Sequence, residues 1–180
     1  KKNNCTALLF KDYPWKTHDR FKNNIVSERE SYVNSWTFLF FIEIFKKIIE
    51  LKESISDKKK RKEVKKIEKW LKRNWGSINF DHREVMSPKK PKFNFTFSPQ
   101  ISGYSLGSLS KDLSEKEDMG STLTEYNKKL EKITTGLVKD FQGEIILAFD
   151  ELDLSYSPSD SNYENRLIGL LLTTYDFFNK

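Results

Sequence analysis

The chain has 180 residues, 37% of them hydrophobic, which bounds it to one domain able to bury a core and excludes a wholly disordered segment. Its net charge of +6 arises from 32 basic against 26 acidic residues, a mixed composition that excludes the one-sided excess of a dedicated nucleic-acid binder. A single cysteine, Cys5, excludes a disulfide framework and a thiolate metal site, and a reducing, cytoplasmic setting is expected.

The start is Lys1-Lys2-Asn3-Asn4 followed by only five apolar or small residues, short of the apolar stretch of a secretory signal, so no export signal is expected. Thr6 to Phe10 is a short apolar run suited to a buried strand, and Lys11-Asp12-Tyr13-Pro14-Trp15 ends it because proline cannot continue a ladder. Ser27-Glu28-Arg29-Glu30 has the form of a capping box and predicts the start of a long helix. Tyr32, Trp36, Leu39, Phe40, Ile44, Ile48 and Leu51 recur along it at three- and four-residue spacing, and Phe38, Phe41 and Phe45 widen the stripe until most of the circumference is apolar. Glu43, Lys46 and Lys47 interrupt the run well short of the ~20 residues a bilayer needs, so it reads as a buried helix.

Ser56 to Trp75 places Val64, Ile67, Trp70, Leu71 and Trp75 on one side and lysines elsewhere, which predicts an amphipathic helix ending near Gly76. Its Lys58–Arg73 cluster, with Lys89-Lys90-Pro91-Lys92, reads either as a solvated face and loop or as a contact with nucleic acid or an acidic partner. From 77 to 121 the composition shifts towards serine, glycine and proline, and Phe93-Asn94-Phe95-Thr96-Phe97 alternates with period two. A β-hairpin or insertion is expected there, with the phenylalanines packed on a helix or stacking bases.

Thr122 to Phe141 is predicted to be a third helix, Ile145 to Phe149 a second strand, Ser155 to Ser161 a polar loop and Asn162 to Phe178 a final helix. His18 and His82 are far apart, neither has a metal-type ligand at i+4, and both are expected at the surface or core edge. Residues 1–180 thus read as one α/β domain with an excursion, although an open parallel sheet usually needs about five strands and only two strong ones are visible.

The segment Glu144-Ile145-Ile146-Leu147-Ala148-Phe149-Asp150-Glu151-Leu152-Asp153 carries the chemistry. An apolar strand buried in a parallel sheet delivers ligands at its carboxyl end, which is where Asp150 and Glu151 stand. This is a Walker B pattern: the aspartate would hold Mg2+ through its water shell and the glutamate would polarise the attacking water. The companion phosphate loop, G-x-x-x-x-G-K-[ST], is not present among the seven glycines. The plain alternative is that Asp-Glu-Leu-Asp marks where a strand emerges into water. Asp153 would orient the loop, pair with a cation or stay hydrated. Arg166 could face a nucleotide or a neighbouring subunit, with a local surface role beside Glu164 favoured.

Asp12-Tyr13-Pro14-Trp15, Ser27-Glu28, Ser31-Tyr32-Val33-Asn34-Ser35-Trp36, Phe149-Asp150-Glu151-Leu152-Asp153 and Asn162-Tyr163-Glu164-Asn165-Arg166-Leu167 together resemble a group of bacterial P-loop ATPases of the class with a glutamate beside the Walker B aspartate. The resemblance implies the central part of a nucleotide-binding domain, with a three-layer parallel sheet, flanking helices and a β-rich insertion. It implies Mg2+ and ATP as cofactors, with Asp150 as metal ligand and Glu151 as catalytic residue. A homo-oligomer or an effector protein is the implied partner. Such proteins also need a Walker A loop, a sensor strand and an arginine finger, none of which is in these residues. No ATPase activity is therefore expected from this chain alone. The competing expectation is a non-catalytic binding module for nucleic acid or protein, acting through Lys58–Arg73. A helicase-type box is a weaker third reading, because no neighbouring helicase motif accompanies it.

Overall fold

The computed structural model describes residues 4–22, 26–86, 100–101, 104–105, 119–139, 144–153 and 159–179. Its order is β1 (Cys5–Leu9), a 3-10 turn (Trp15–Phe21), α1 (Glu28–Glu50), α2 (Lys58–Trp75), β2 (Gln100–Ile101), β3 (Tyr104–Ser105), α3 (Met119–Val138), β4 (Ile146–Asp150) and α4 (Tyr163–Phe178).

The long helix forms where the apolar spacing predicts. Ser27 caps α1 by accepting from the Glu30 amide at 3.2 Å, so one orphan donor of the first turn is satisfied. Tyr32, Trp36, Phe38, Leu39, Ile42 and Phe45 are fully buried over one half of the circumference, and Phe40, Phe41 and Ile48, buried on the other half, leave the helix without a wet face there. The helix is the axis of the molecule: α4, α3 and α2 each pack against it. Asp57 caps α2 by accepting from Lys59, and Gly76, at φ 82°, ends it in the left-handed conformation that a side chain would strain. Beyond that cap Phe80 stacks on Trp75 with ring centroids 4.9 Å apart, and Val85 and Met86 are buried. Residues 78–86 therefore return to the core immediately after α2.

The expected three-layer parallel sheet is not what the chain forms. Among the described residues the fold is mainly helical, with one two-stranded parallel pair, β1 and β4, and a separate two-residue antiparallel pair, β2 and β3. Ala7 lies opposite Ala148, and Leu9 opposite Asp150. Phe40 of α1 covers the pair by stacking on Phe149 at 5.2 Å. The strands are not enclosed: Leu9 is 49% and Ile146 48% exposed. Beside β4 lies an open apolar groove lined by Phe40, Ile44, Leu147, Phe149 and Phe177, among others. An apolar run becomes an interior strand only when strands flank it on both edges, and most apolar residues here recur with a helical period, which leaves two runs to pair.

No helix of the described residues is long and apolar enough to cross a membrane. The segments Lys89–Lys92 and Phe93–Phe97 lie outside the described residues, as does most of the loop after Asp153.

Candidate functional site

Parallel pairing puts the exits of β1 and β4 at the same end of the molecule. The Phe10 amide donates to the Asp150 carbonyl at 2.9 Å, extending the ladder to the point where both chains turn away. Each turn is made by a residue in the left-handed region: Asp12 at φ 56° and Glu151 at φ 59°. They are the two non-glycine positions with positive φ among the described residues. Aspartate tolerates that conformation through its short polar side chain, whereas glutamate has no such compensation and costs about 1 kcal/mol there. Strain of this sort concentrates where a side chain has to be aimed.

Asp150 is exposed, and its Oδ1 accepts from the Glu151 amide at 2.8 Å. Glu151 is half-buried and Asp153 exposed. No ion pair among the described residues engages any of the three. Three acids thus lie at the strand exits: Asp150 ends β4, Glu151 follows it, and Asp12 stands in the turn after β1. Asp12 is a site candidate that the strand motif alone does not single out. The sequence signal for it is weaker than for Asp150, because Lys11 separates Asp12 from the apolar run that ends at Phe10.

Oxygen donors of this kind suit a hard cation. Magnesium keeps most of its waters and is usually held by one or two carboxylates together with substrate phosphates. Asp150 and Glu151 supply carboxylate oxygens, the donor type such a cation takes. They do not form a protein-only cage, since no group of three or more histidine, cysteine, aspartate or glutamate side chains among the described residues is arranged to hold a metal ion.

Arg166 is not a surface residue. Its side chain is 1% exposed, with Nε donating to Asp19 Oδ1 at 2.9 Å, Nη2 to Asp19 Oδ2 at 2.5 Å and Nη1 to Asp160 Oδ2 at 2.6 Å. With every guanidinium nitrogen engaged, neither a nucleotide nor a neighbouring subunit is its partner. Glu164, its expected local companion, is exposed. Burial works against the charge of Arg166, but the bonds to Asp19 and Asp160 outweigh it and raise its pKa. Burial likewise would raise the Asp19 carboxyl, yet hydrogen bonds from Arg166 and Tyr32 hold it below its ordinary value. The arginine joins the turn after β1, the segment after β4 and the first turn of α4.

His18 is also misplaced by the expectation of a surface or core-edge position, because it is fully buried beside Trp36, with ring centroids 3.9 Å apart. Burial, and then the Arg166 charge, push its pKa down to about 3, so the ring is neutral. Its hydrogen bonds assign the tautomer. Ser35 Oγ donates to the Tyr32 carbonyl at 2.8 Å and so accepts from His18 Nδ1 at 2.7 Å. The Tyr13 hydroxyl, held protonated by burial and by the charges of Glu43 and Asp81, then donates to His18 Nε2 at 2.8 Å. His82 lies at the core edge, where its Nε2 bonds the Leu9 carbonyl at 2.9 Å.

The segments Asp12–Trp15, Ser31–Trp36 and Asn162–Leu167 therefore meet in space. Tyr13 stacks on Trp36 at 5.7 Å, Trp15 packs edge-on against Trp36 and also against Tyr163, and the Trp36 indole donates to the Arg166 carbonyl at 2.8 Å. The Tyr163 hydroxyl donates to the Leu152 carbonyl at 2.9 Å, which ties the segment after the two acids to α4. These residues are a scaffold under the strand exits rather than ligands themselves.

Comparison of the chain with protein-family models, curated proteins and solved structures found no match.

Proposed function

We propose that the β4 exit is the acidic, metal-facing half of a Mg-nucleotide site. On this reading the protein is part of an ATPase whose phosphate grip is provided by polypeptide other than these 180 residues. What supports it most is the placement of Asp150 and Glu151. Asp150 is the last residue of a strand with a parallel neighbour and Glu151 follows it, both outside every ion pair of the described residues, and Glu151 is kept in a costly backbone conformation.

In this role the Asp150 carboxylate would hold the cation, with one oxygen already oriented by the Glu151 amide. Bound Mg2+ supplies charge neutralisation for the phosphates of ATP. The Glu151 carboxylate would orient a water towards the terminal phosphate and take its proton as the bond from that phosphorus to the departing ADP breaks. Phosphoryl transfer depends on positioning and charge far more than on covalent chemistry, so the rigid scaffold of Trp15, Trp36, Tyr163 and Arg166 beneath the turn serves the reaction by fixing where these two acids point.

The test is single-turnover hydrolysis and nucleotide binding in the protein that contains this chain together with its phosphate loop. Glu151→Gln is expected to retain ATP and to cut phosphate release by about 10²- to 10⁴-fold, the usual worth of a positioned base. Asp150→Ala is expected to weaken Mg-dependent nucleotide binding. Unchanged turnover in Glu151→Gln overturns the assignment.

A further inference from the structure

The positive charge of this protein is not spread over its surface. Helix α2 carries ten basic and two acidic residues and is therefore +8, while the whole chain is +6, so the other 162 residues together carry −2. Val64, Ile67, Trp70, Leu71 and Trp75 seat the helix in the core. That fixes its orientation and turns Lys58, Lys62, Lys65 and Lys69 outward as one exposed row at i, i+4, i+7 and i+11. None of these four makes an ion pair among the described residues. At the start of the row Lys52, Lys58, Arg61, Lys62 and Lys65 line a shallow groove with Glu53.

This arrangement works against the helix. Its first turn contains no acid, so cations crowd the positive end of the helix dipole. Lys58 faces Lys62, Arg61 faces Lys65, and Lys65 faces Lys69 at i,i+4, where like charges destabilise by about 0.2–0.5 kcal/mol per pair. A solvated face selected only for solubility mixes the two signs along such rows.

We infer that the exposed face of α2 is a docking surface for the phosphate backbone of a nucleic-acid duplex. The row from Lys58 to Lys69 is about 16 Å long at helical rise, which matches about five phosphates of one strand at ~3.4 Å each. Lysine is a point charge that recognises phosphate without reading base edges, so binding is independent of sequence. Both tryptophans of α2 are buried, which leaves no aromatic platform on this face for stacking the bases of a single strand. The same burial leaves no apolar side chain on the face to enter a bilayer, which disfavours an anionic membrane. This surface is separate from the β4 exit and does not rest on the nucleotide reading.

The experiment measures binding of the whole chain to a labelled random-sequence DNA duplex from 50 to 200 mM salt, beside vesicles rich in phosphatidylserine. Four phosphate contacts give a slope of about −3.6 in log affinity against log salt, or about 150-fold weakening over that range. The variant Lys58→Gln/Lys62→Gln/Lys65→Gln/Lys69→Gln is expected to flatten the slope by about 3.6 and to bind at least tenfold more weakly at 50 mM. Lys128→Gln/Lys139→Gln, two exposed lysines of α3 and its end, is the control for charge removed elsewhere on the surface and is expected to bind as the parent does. Circular dichroism confirms that each variant is folded. Duplex binding that is absent at 50 mM, a slope unchanged in the quadruple variant, or tighter binding to the vesicles than to the duplex overturns the proposal.

Discussion

Arg166 and Asp19 are separated by 147 residues and meet in a two-point ion pair, Nε to Oδ1 at 2.9 Å and Nη2 to Oδ2 at 2.5 Å. The pair closes α4 onto the turn that follows β1, and Asp160 and Tyr32 complete it. Because the arginine is buried, it has to be neutralised where it stands.

Arg166→Met is expected to destabilise the fold by about 3 kcal/mol, since it leaves Asp19 beside Tyr32 without its hydrogen-bonded cation. The Asp19→Asn/Arg166→Met double variant is expected to recover part of that loss, as urea denaturation of the two singles and the double would show. The same network sets an acid limit. The Asp19 and Asp160 carboxyls are held below their ordinary value of 3.8, so the stability they contribute is complete above it and is lost as pH falls through the depressed values.

His18 acts in a different window. The unfolded chain takes up a proton near the ordinary 6.5, whereas the buried ring resists protonation down to about 3, so stability rises with pH between those values. Between pH 8 and pH 5 the loss is about 2 kcal/mol. His18→Asn is expected to be less stable at pH 8 but to lose less on acidification. Parallel pH dependences for parent and variant would place the titration elsewhere.

Gly169 marks the closest approach of α4 to α1. A Cβ added there would stand 2.7 Å from Tyr32 Cβ and 3.3 Å from the Val33 nitrogen, and neither atom is the end of a flexible side chain. Gly169→Ala is expected to lower stability by about 1–2 kcal/mol, the overpacking cost less the gain in helix propensity. A thermal midpoint at or above the parent's would show that the helices separate without penalty.

Glu151 offers the opposite case. Replacement by glycine at φ 59° removes backbone strain, and Glu151→Gly is expected to stabilise the chain by about 0.5–1 kcal/mol in chemical denaturation. A residue kept at such a cost is the pattern of a stability–activity trade-off. A fall in stability would instead identify a contact made by the carboxylate that justifies its place.

The residue pattern by itself determined the four helices, the cap at Ser27, the stop at Gly76 and the two strands, because caps and hydrophobic periods are local properties that neighbours within one turn already settle. It also marked Asp150 and Glu151, since a carboxylate after an apolar run is visible in one dimension. The tertiary structure alone decided what surrounds them. A strand's company depends on runs elsewhere in the chain, so β4 gained one partner instead of a full sheet. The burial of His18 and Arg166 depends on Ser35, Asp19 and Asp160, which nothing in the local pattern connects to them. Charge behaves likewise: the lysines of α2 were legible as a cluster, but their arrangement as a single outward row follows from which side of that helix the core claims.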